Sequence, residues 1–247
     1  MNLEYLICID DTDDIGTKGT GEIAEELAQM LLQQWGGHAS LVSRHQLFVH
    51  PDIPYTSHNS AMCFRYQSPL AQLADIVALA SEMLVAESAP AADPGLAVVA
   101  APSWQQQQAL IAFGLQAKRQ VLTKSQAYDL AAAQQIHLSE HGGTGQGVIG
   151  AIAGLGLFLQ GSDGRIKGQF NLGQSSPTAV VMTVAEIIAT TGLDKVIDTA
   201  GGEIGANARI HLSGKVKAVR YQHANALLVV AVDGEFHNAG KSVLKGY

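Results

Sequence analysis

The opening run Leu3-Glu4-Tyr5-Leu6-Ile7-Cys8-Ile9 is apolar and partly β-branched, and it stops abruptly at Asp10-Asp11-Thr12-Asp13-Asp14. Such a run reads as a buried strand that ends in an acidic loop. Gly16, Gly19 and Gly21 follow, and then Ile23, Ala24, Leu27, Ala28, Met30 and Leu31 recur at helical spacing. Thr20 suits the N-cap of that helix and Glu22 its first turn. The chain therefore begins strand, glycine-bearing loop, helix, with four carboxylates concentrated at the strand end.

The same reading places strands at His38–Val49 and Ser60–Tyr66 and an apolar helix at Leu70–Ala86. Prolines and a glycine in Ala89-Pro90-Ala91-Ala92-Asp93-Pro94-Gly95 interrupt both periodicities, which predicts a linker and two domains, 1–90 and 91–247. Beyond it come a strand at Leu96–Ala100, helices at Ser103–Leu115 and Lys124–Gln135, and a glycine-rich stretch running into a helix from Val148. The remainder reads as a helix at Ala179–Thr190 and short strands at Ala208–Leu212, Lys215–Tyr221 and Ala226–Val232. Helices and strands alternate throughout, so the expected class is α/β (α+β) in two domains.

With 247 residues, 47% of them apolar, the chain can bury one large core or two moderate ones. A formal charge of −7 with only 15 Lys+Arg argues against gripping nucleic acid through its phosphates, which takes clustered cations. A small-molecule or nucleoside substrate is expected, and RNA binding is not expected without a partner. Cys8 and Cys63 lie inside apolar runs without CxxC spacing and read as buried thiols. Nothing approaches the roughly 18 apolar residues of a membrane helix, so a cytoplasmic protein without membrane contact is expected. A homo-oligomer is compatible with this composition.

Mg²⁺ takes oxygen ligands, and one or two carboxylates plus substrate phosphates commonly hold it. Four carboxylates in five residues repel one another unless a cation neutralises them. Asp10, Asp11 and Asp13 are therefore the candidate metal ligands, against the alternative of a solvated acidic turn. Thr17, Lys18, Gly19 and Thr20 lie in the following loop beside a helix N-terminus, where backbone N–H groups favour anions. Thr20 can serve phosphate chemistry or only cap the helix.

Gly143, Gly145 and Gly147 belong to a second candidate anion-binding element, Gly145-x-Gly147-x-x-Gly150. Its polar lead-in, Gln135–His141, does not read as a clean Rossmann strand, so tight helix packing stays open beside phosphate binding. The Gly234–Ser242 stretch misses P-loop spacing by one residue. Asp11-x-Asp13 lacks the neighbouring residue typical of aspartyl-phosphate phosphatases, and His45, His50 and His58 fit no common zinc spacing.

Four segments, in the same order, together resemble the archaeal 2-agmatinylcytidine synthetase family: Ile9-Asp10-Asp11-Thr12-Asp13, the loop His50–Ala61, Asp93-Pro94-Gly95 before a strand, and Gly143-Thr144-Gly145-Gln146-Gly147-Val148-Ile149-Gly150-Ala151. The resemblance spans roughly residues 1–160. It implies a kinase-like α/β domain (1–90) carrying the acidic metal loop. A ferredoxin-like α+β domain (91–247) carrying the glycine-rich loop would follow.

In that family, ATP and Mg²⁺ serve to phosphorylate a tRNA cytidine, from which agmatine then displaces the phosphate. Thr20 stands where the family has a threonine implicated in phosphoryl transfer. Three family cations are replaced, by Thr56, His58 and Gln146, and Lys18 could partly substitute for one. The family's OB-fold and zinc-ribbon modules find no counterpart here, and no CxxC pair exists to build a zinc ribbon.

The reading that results is an ATP- and Mg²⁺-dependent phosphotransferase or ligase-like enzyme acting on a small metabolite or nucleoside. Asp10, Asp11 and Asp13 would hold metal, and Thr20, Asp11 and Lys18 would carry the chemistry. Thr17, Gly19, Asn59, Gly143, Gly145 and Gly147 would bind the nucleotide or line the substrate side. The alternatives are a non-catalytic nucleotide-binding module and an RNA-modifying subunit that needs a separate RNA-binding partner.

Overall fold

The computed structural model describes residues 3–53, 58–174 and 179–247. Two compact units emerge, Met1–Gln160 and Gly161–Tyr247. The boundary expected at 90/91 falls inside the first unit. The reason is strand pairing: the segment after the prolines returns as a strand beside the first one, so the breaks at Pro90 and Pro94 mark a turn within one core.

The first unit contains β1 (Leu3–Asp10), α1 (Thr20–Trp35), β2 (His38–Ala39), β3 (Ser43–Gln46), β4 (Ser60–Ser68) and α2 (Leu73–Glu87). It continues with β5 (Gly95–Ala100), α3 (Trp104–Ala117), α4 (Lys124–Gln134), β6 (His137–Glu140) and α5 (Gly147–Gln160). Its strands run in the order β6-β5-β1-β4-β3, with β2 also on β4, and every pairing is antiparallel. The polar stretch before the glycine loop is thus an edge strand, β6, and not the parallel strand of a dinucleotide fold.

Both faces of this sheet are covered, which is why β1 is apolar at nearly every position. Side chains alternate across a strand. Tyr5, Ile7 and Ile9 pack with Ile23, Leu27 and Leu31 of α1 and Ile76 and Leu84 of α2. Leu6 and Cys8 point the other way, into a core with Leu110 of α3 and Val148, Ile152 and Leu155 of α5. By the same alternation Asp10, the last residue of β1, falls on the α5 side.

The expected stripe on α1 is buried except for Met30, which is 39% exposed. Leu27 is fully buried. Leu27→Ala is expected to cost about 2–5 kcal/mol through lost transfer energy and the cavity left behind. Urea unfolding checks this as a lower midpoint at unchanged slope.

Cys8 and Cys63 face each other across β1 and β4, free and buried as expected. Burial pushes the Cys8 thiol well above its usual range, with Cys63 as hydrogen-bond neighbour, so it stays an unreactive core thiol.

The second unit contains β7 (Arg165–Ile166), β8 (Val180–Thr183), α6 (Val184–Thr191), β9 (Lys195–Asp198), β10 (Arg209–Leu212), β11 (Ala218–Tyr221), β12 (Ala224–Val232), β13 (Glu235–Asn238) and α7 (Lys241–Leu244). Its strands follow the order β7-β11-β12-β13-β10-β8, with β9 parallel to β12. The helix expected from Ala179 begins later. Val180, Val181, Met182 and Thr183 form a strand on β10, and Thr183 caps α6 through a reciprocal box with Glu186. Mixed strand directions and seven helices among the described residues bear out the α/β (α+β) class.

Candidate functional site

The acidic loop leaves β1 at Asp10 and reaches α1 at Thr20. Asp10 is 7% exposed and Thr12 fully buried. Asp11 sits at φ 54°, in the left-handed region that Asp enters at lower cost than most residues. Burial, reinforced by the Asp11 charge, raises the Asp10 carboxyl well above the usual carboxylate range. Burial also pushes Asp11 up, to about 6, with the Asp93 and Asp13 charges adding to it. Buried carboxylates that also raise one another by their charge mark a place where a cation would be favoured.

Thr20 is the first helical residue, and Gly19 holds the N-cap position without a side-chain bond. The threonine is therefore not a simple cap, as it could have been. Its hydroxyl donates to Asp13 Oδ1 at 2.7 Å and accepts from the Thr12 amide at 3.4 Å. A hydroxyl held on a carboxylate is poised to give up its proton. Thr12 Oγ1, buried beside it, has no hydrogen-bond partner among the described residues.

The glycine element meets the acidic loop. Gly95 of β5 pairs with Asp10, and the Gly147 amide donates to the Asp93 carbonyl at 3.0 Å. A Cβ on Gly150 would fall on the Asp10 carboxylate, and one on Gly147 would meet the Asp93, Gly95 and Asp10 backbone. Only glycine lets the first turn of α5 lie this close to the end of β1. Segments more than a hundred residues apart thus converge at one strand end.

The loop amides have a different partner from the one expected. The Asp93 carboxylate accepts hydrogen bonds from the Thr144 amide and hydroxyl and from the Gln146 amide. Burial alone would raise Asp93, but these donors outweigh it and hold its carboxyl below the usual value. Gly143 and Gly145, both at positive φ, shape a cradle that an internal anion fills. Lys124 fastens the loop from α4, donating to the Thr144 carbonyl at 2.7 Å and pairing with Glu140 at 2.8 Å.

Asp93 and Lys124 were missed as site residues. Asp93 carried a signal only as the start of a strand in Asp93-Pro94-Gly95, and Lys124 carried none.

Other candidates are engaged elsewhere. Lys18 pairs with Glu26 and Glu87, each at 2.7 Å, and these hydrogen bonds, Glu26 first, raise its pKa well above the usual lysine value. Thr17 closes a turn, its hydroxyl accepting from the Asp14 amide and donating to the Asp14 carbonyl. Asn59 Nδ2 donates to the Phe48 carbonyl at 2.7 Å and so ties the ends of the 48–59 loop. Residues 54–57 of that loop, Thr56 included, lie outside the described residues. His45 is hydrogen-bonded to Ser43, and the His50 ring accepts from the Asp52 amide.

Asp10, Asp11 and Asp13 do not form a compact three-ligand group. Among the described residues, the one group of three His, Cys, Asp or Glu with converging ligand atoms is His211, Glu235 and His237.

Fold and site define a mixed α/β protein whose carboxylate loop, helix-borne threonine and glycine-bearing helix meet at the end of a central strand. Over 160 residues the chain is 26% identical to the isoleucine-tRNA 2-agmatinylcytidine synthetase TiaS of Pyrobaculum neutrophilum, an alignment taking in 64% of this chain and 36% of that protein. Among solved structures, apo TiaS matches with a TM-score of 0.53 at 22% identity, covering 62% of this chain and 35% of that one. The complex of TiaS with its isoleucine tRNA and ATP matches at 0.54 and 23%, covering 62% and 36%. The complex of TiaS with the same tRNA, AMPCPP and agmatine matches at 0.53 and 22%, again covering 62% and 36%. The structural matches establish a shared fold. No protein-family model matches the chain. The resemblance to the 2-agmatinylcytidine synthetases is borne out over part of the chain, which spans about a third of the length of these relatives.

Proposed function

We propose that the first unit is an ATP-dependent, ligase-like phosphotransferase that uses Mg²⁺. The carrying observation is the Thr20 hydroxyl on Asp13, at a helix N-terminus next to the two raised carboxylates of Asp10 and Asp11. The oxygen donors suit a hard cation, and the unpartnered Thr12 hydroxyl is a further oxygen among them. Asp10, Asp11 and Asp13 do not converge as a ready three-ligand set, but Mg²⁺ is commonly held by one or two carboxylates plus substrate phosphates; these residues would supply the carboxylates, and the ion would neutralise phosphate charge. If Thr20 receives the γ-phosphate, its oxygen bonds phosphorus, Asp13 takes its proton and ADP leaves; if it only positions the phosphate it keeps its proton, and in either case the N–H groups of the first turn of α1 face the anion. The glycine loop, its amides committed to Asp93, seats α5 against Asp10. If it also cradles phosphate, Asp93 must first move away.

The acceptor we favour is a nucleoside. The net charge of −7 suits a small one, while two of the matched synthetase structures are complexes with tRNA, which brings an RNA nucleotide into the same class. Incubation with γ-labelled ATP and Mg²⁺, with nucleosides or a tRNA fraction supplied separately, tests both. Label should move to one of them, and an absence of ATP binding to the full chain would sink the reading.

The engagement of Lys18 by two glutamates favours a second reading, a nucleotide-binding module without catalysis. It predicts that ATP raises the melting temperature while no product forms over hours.

The carboxylates make a pH prediction. Asp11 titrates near 6 in the folded state, above its ordinary 3.8, so the folded protein holds this proton where the unfolded chain has lost it. Its contribution to stability therefore declines as pH rises from about 4 through about 6. Mg²⁺ competes with protons for the ionised form. Millimolar Mg²⁺ should raise the melting temperature by a few degrees at about pH 7.5 and much less at about pH 5. Asp11→Asn should flatten that difference. An equal Mg²⁺ effect at both values would contradict it.

A further inference from the structure

A second cluster of titratable groups lies in the 161–247 unit, and the chemistry proposed for the first unit makes no use of it. β10 and β13 run parallel, with His211 in register with His237 and Ile210 with Phe236. Strand periodicity puts Glu235 and His237 on one face of β13, and the register puts His211 beside them on that face. Ile210 and Leu212 point to the opposite side and are fully buried, which anchors β10 beneath its histidine.

The ligand atoms converge. His211 Nε2 lies 3.3 Å from Glu235 Oε2, and His237 Nε2 lies 4.0 Å from the same oxygen. One ligand atom from each residue lies within 4.8 Å of the others. The imidazoles stack with centroids 4.9 Å apart and planes at 29°. Two ligands about 2.0–2.2 Å from a tetrahedral ion stand about 3.4 Å apart, so small side-chain rotations complete such a set. On the same face, His211 is flanked by Val181 of β8, and His237 and Glu235 by Val230 and Val232 of β12. Arg209, two residues before His211 on that strand face, is exposed.

We propose that His211, Glu235 and His237 form a binding site for a borderline divalent transition ion of the Zn²⁺ class. Two imidazole nitrogens and one carboxylate oxygen select such ions over Mg²⁺, which prefers an all-oxygen shell. Three protein ligands leave a fourth position for water or a small ligand, and the partial exposure of all three side chains keeps it accessible. The ion also joins β10 to β13 across the chain between residues 211 and 235.

The test is calorimetric titration of the full, tag-free chain with Zn²⁺, with millimolar Mg²⁺ present to occupy oxygen-rich sites. Expected is one Zn²⁺ per chain with affinity on the order of micromolar or tighter, and a Co²⁺ form with a tetrahedral visible absorption band. His211→Gln and His237→Gln should each weaken binding at least ~10-fold, and the double variant should abolish it. Glu235→Gln, at the most exposed of the three positions, gives a check that does not endanger folding. Asp11→Asn should leave Zn²⁺ binding unchanged. Substoichiometric binding, or binding that survives the double variant, overturns the proposal.

Discussion

Thr20→Ala is expected to lower ATP-dependent phosphoryl transfer by about 10²–10³-fold, while Thr20→Ser keeps most of it. On the proposed mechanism the alanine removes the oxygen that would receive the phosphoryl group or fix its position, an effect of the size seen when one transition-state partner is lost. Serine restores a hydroxyl within reach of Asp13, whose carboxylate now holds the threonine at 2.7 Å. Asp11→Asn should give a comparable loss that excess Mg²⁺ does not fully repair, because a neutral amide is a weaker ligand for a hard cation. Initial rates of labelled phosphate transfer, compared at saturating ATP, provide the measurement. Equal rates for the alanine and serine variants would reduce Thr20 to part of the helix start.

Gly150→Val is expected to destabilise the first unit by about 3 kcal/mol or more, at the upper end of overpacking costs. The new side chain would occupy the space of the Asp10 carboxylate and approach Leu47. Neither has a free direction, since Asp10 is buried and Leu47 is part of the core. Gly150→Ala makes a milder version of the same test. Its single methyl displaces Asp10, so activity should fall further than stability does. Denaturant unfolding and ATP turnover on the same preparations separate the two effects. A fully stable and fully active Gly150→Val variant would disprove the docking of α5 on the acidic loop.

Much of the local structure was legible in the chain because its signals are short-range. The run Leu3–Ile9, the stripe Ile23–Leu31 and the helices expected at Ser103–Leu115 and Lys124–Gln135 are each specified by residues close together in the chain. The boundary expected at 90/91 shows where that fails. Pro90, Pro94 and Gly95 break periodicity equally well in a linker and in a turn within a core, and only the return of β5 onto β1 distinguishes them. Val180–Thr183 was misread for a related reason, since a four-residue apolar run fits both periods until β10 pairs with it.

The amino-acid sequence alone determined the acidic loop at a strand end, the helix behind it and the glycine run later in the chain, because each is written in contiguous residues. Tertiary structure decided which of these groups meet. It set Asp10 on the α5 face, bound Thr20 to Asp13, filled the glycine cradle with Asp93 and committed Lys18 to Glu26 and Glu87. It also brought His211 to Glu235 and His237 through a parallel pairing of strands that no local pattern encodes. Contacts between distant segments depend on which strand edges and helix faces are left to bury one another, and that choice is made by the whole core at once.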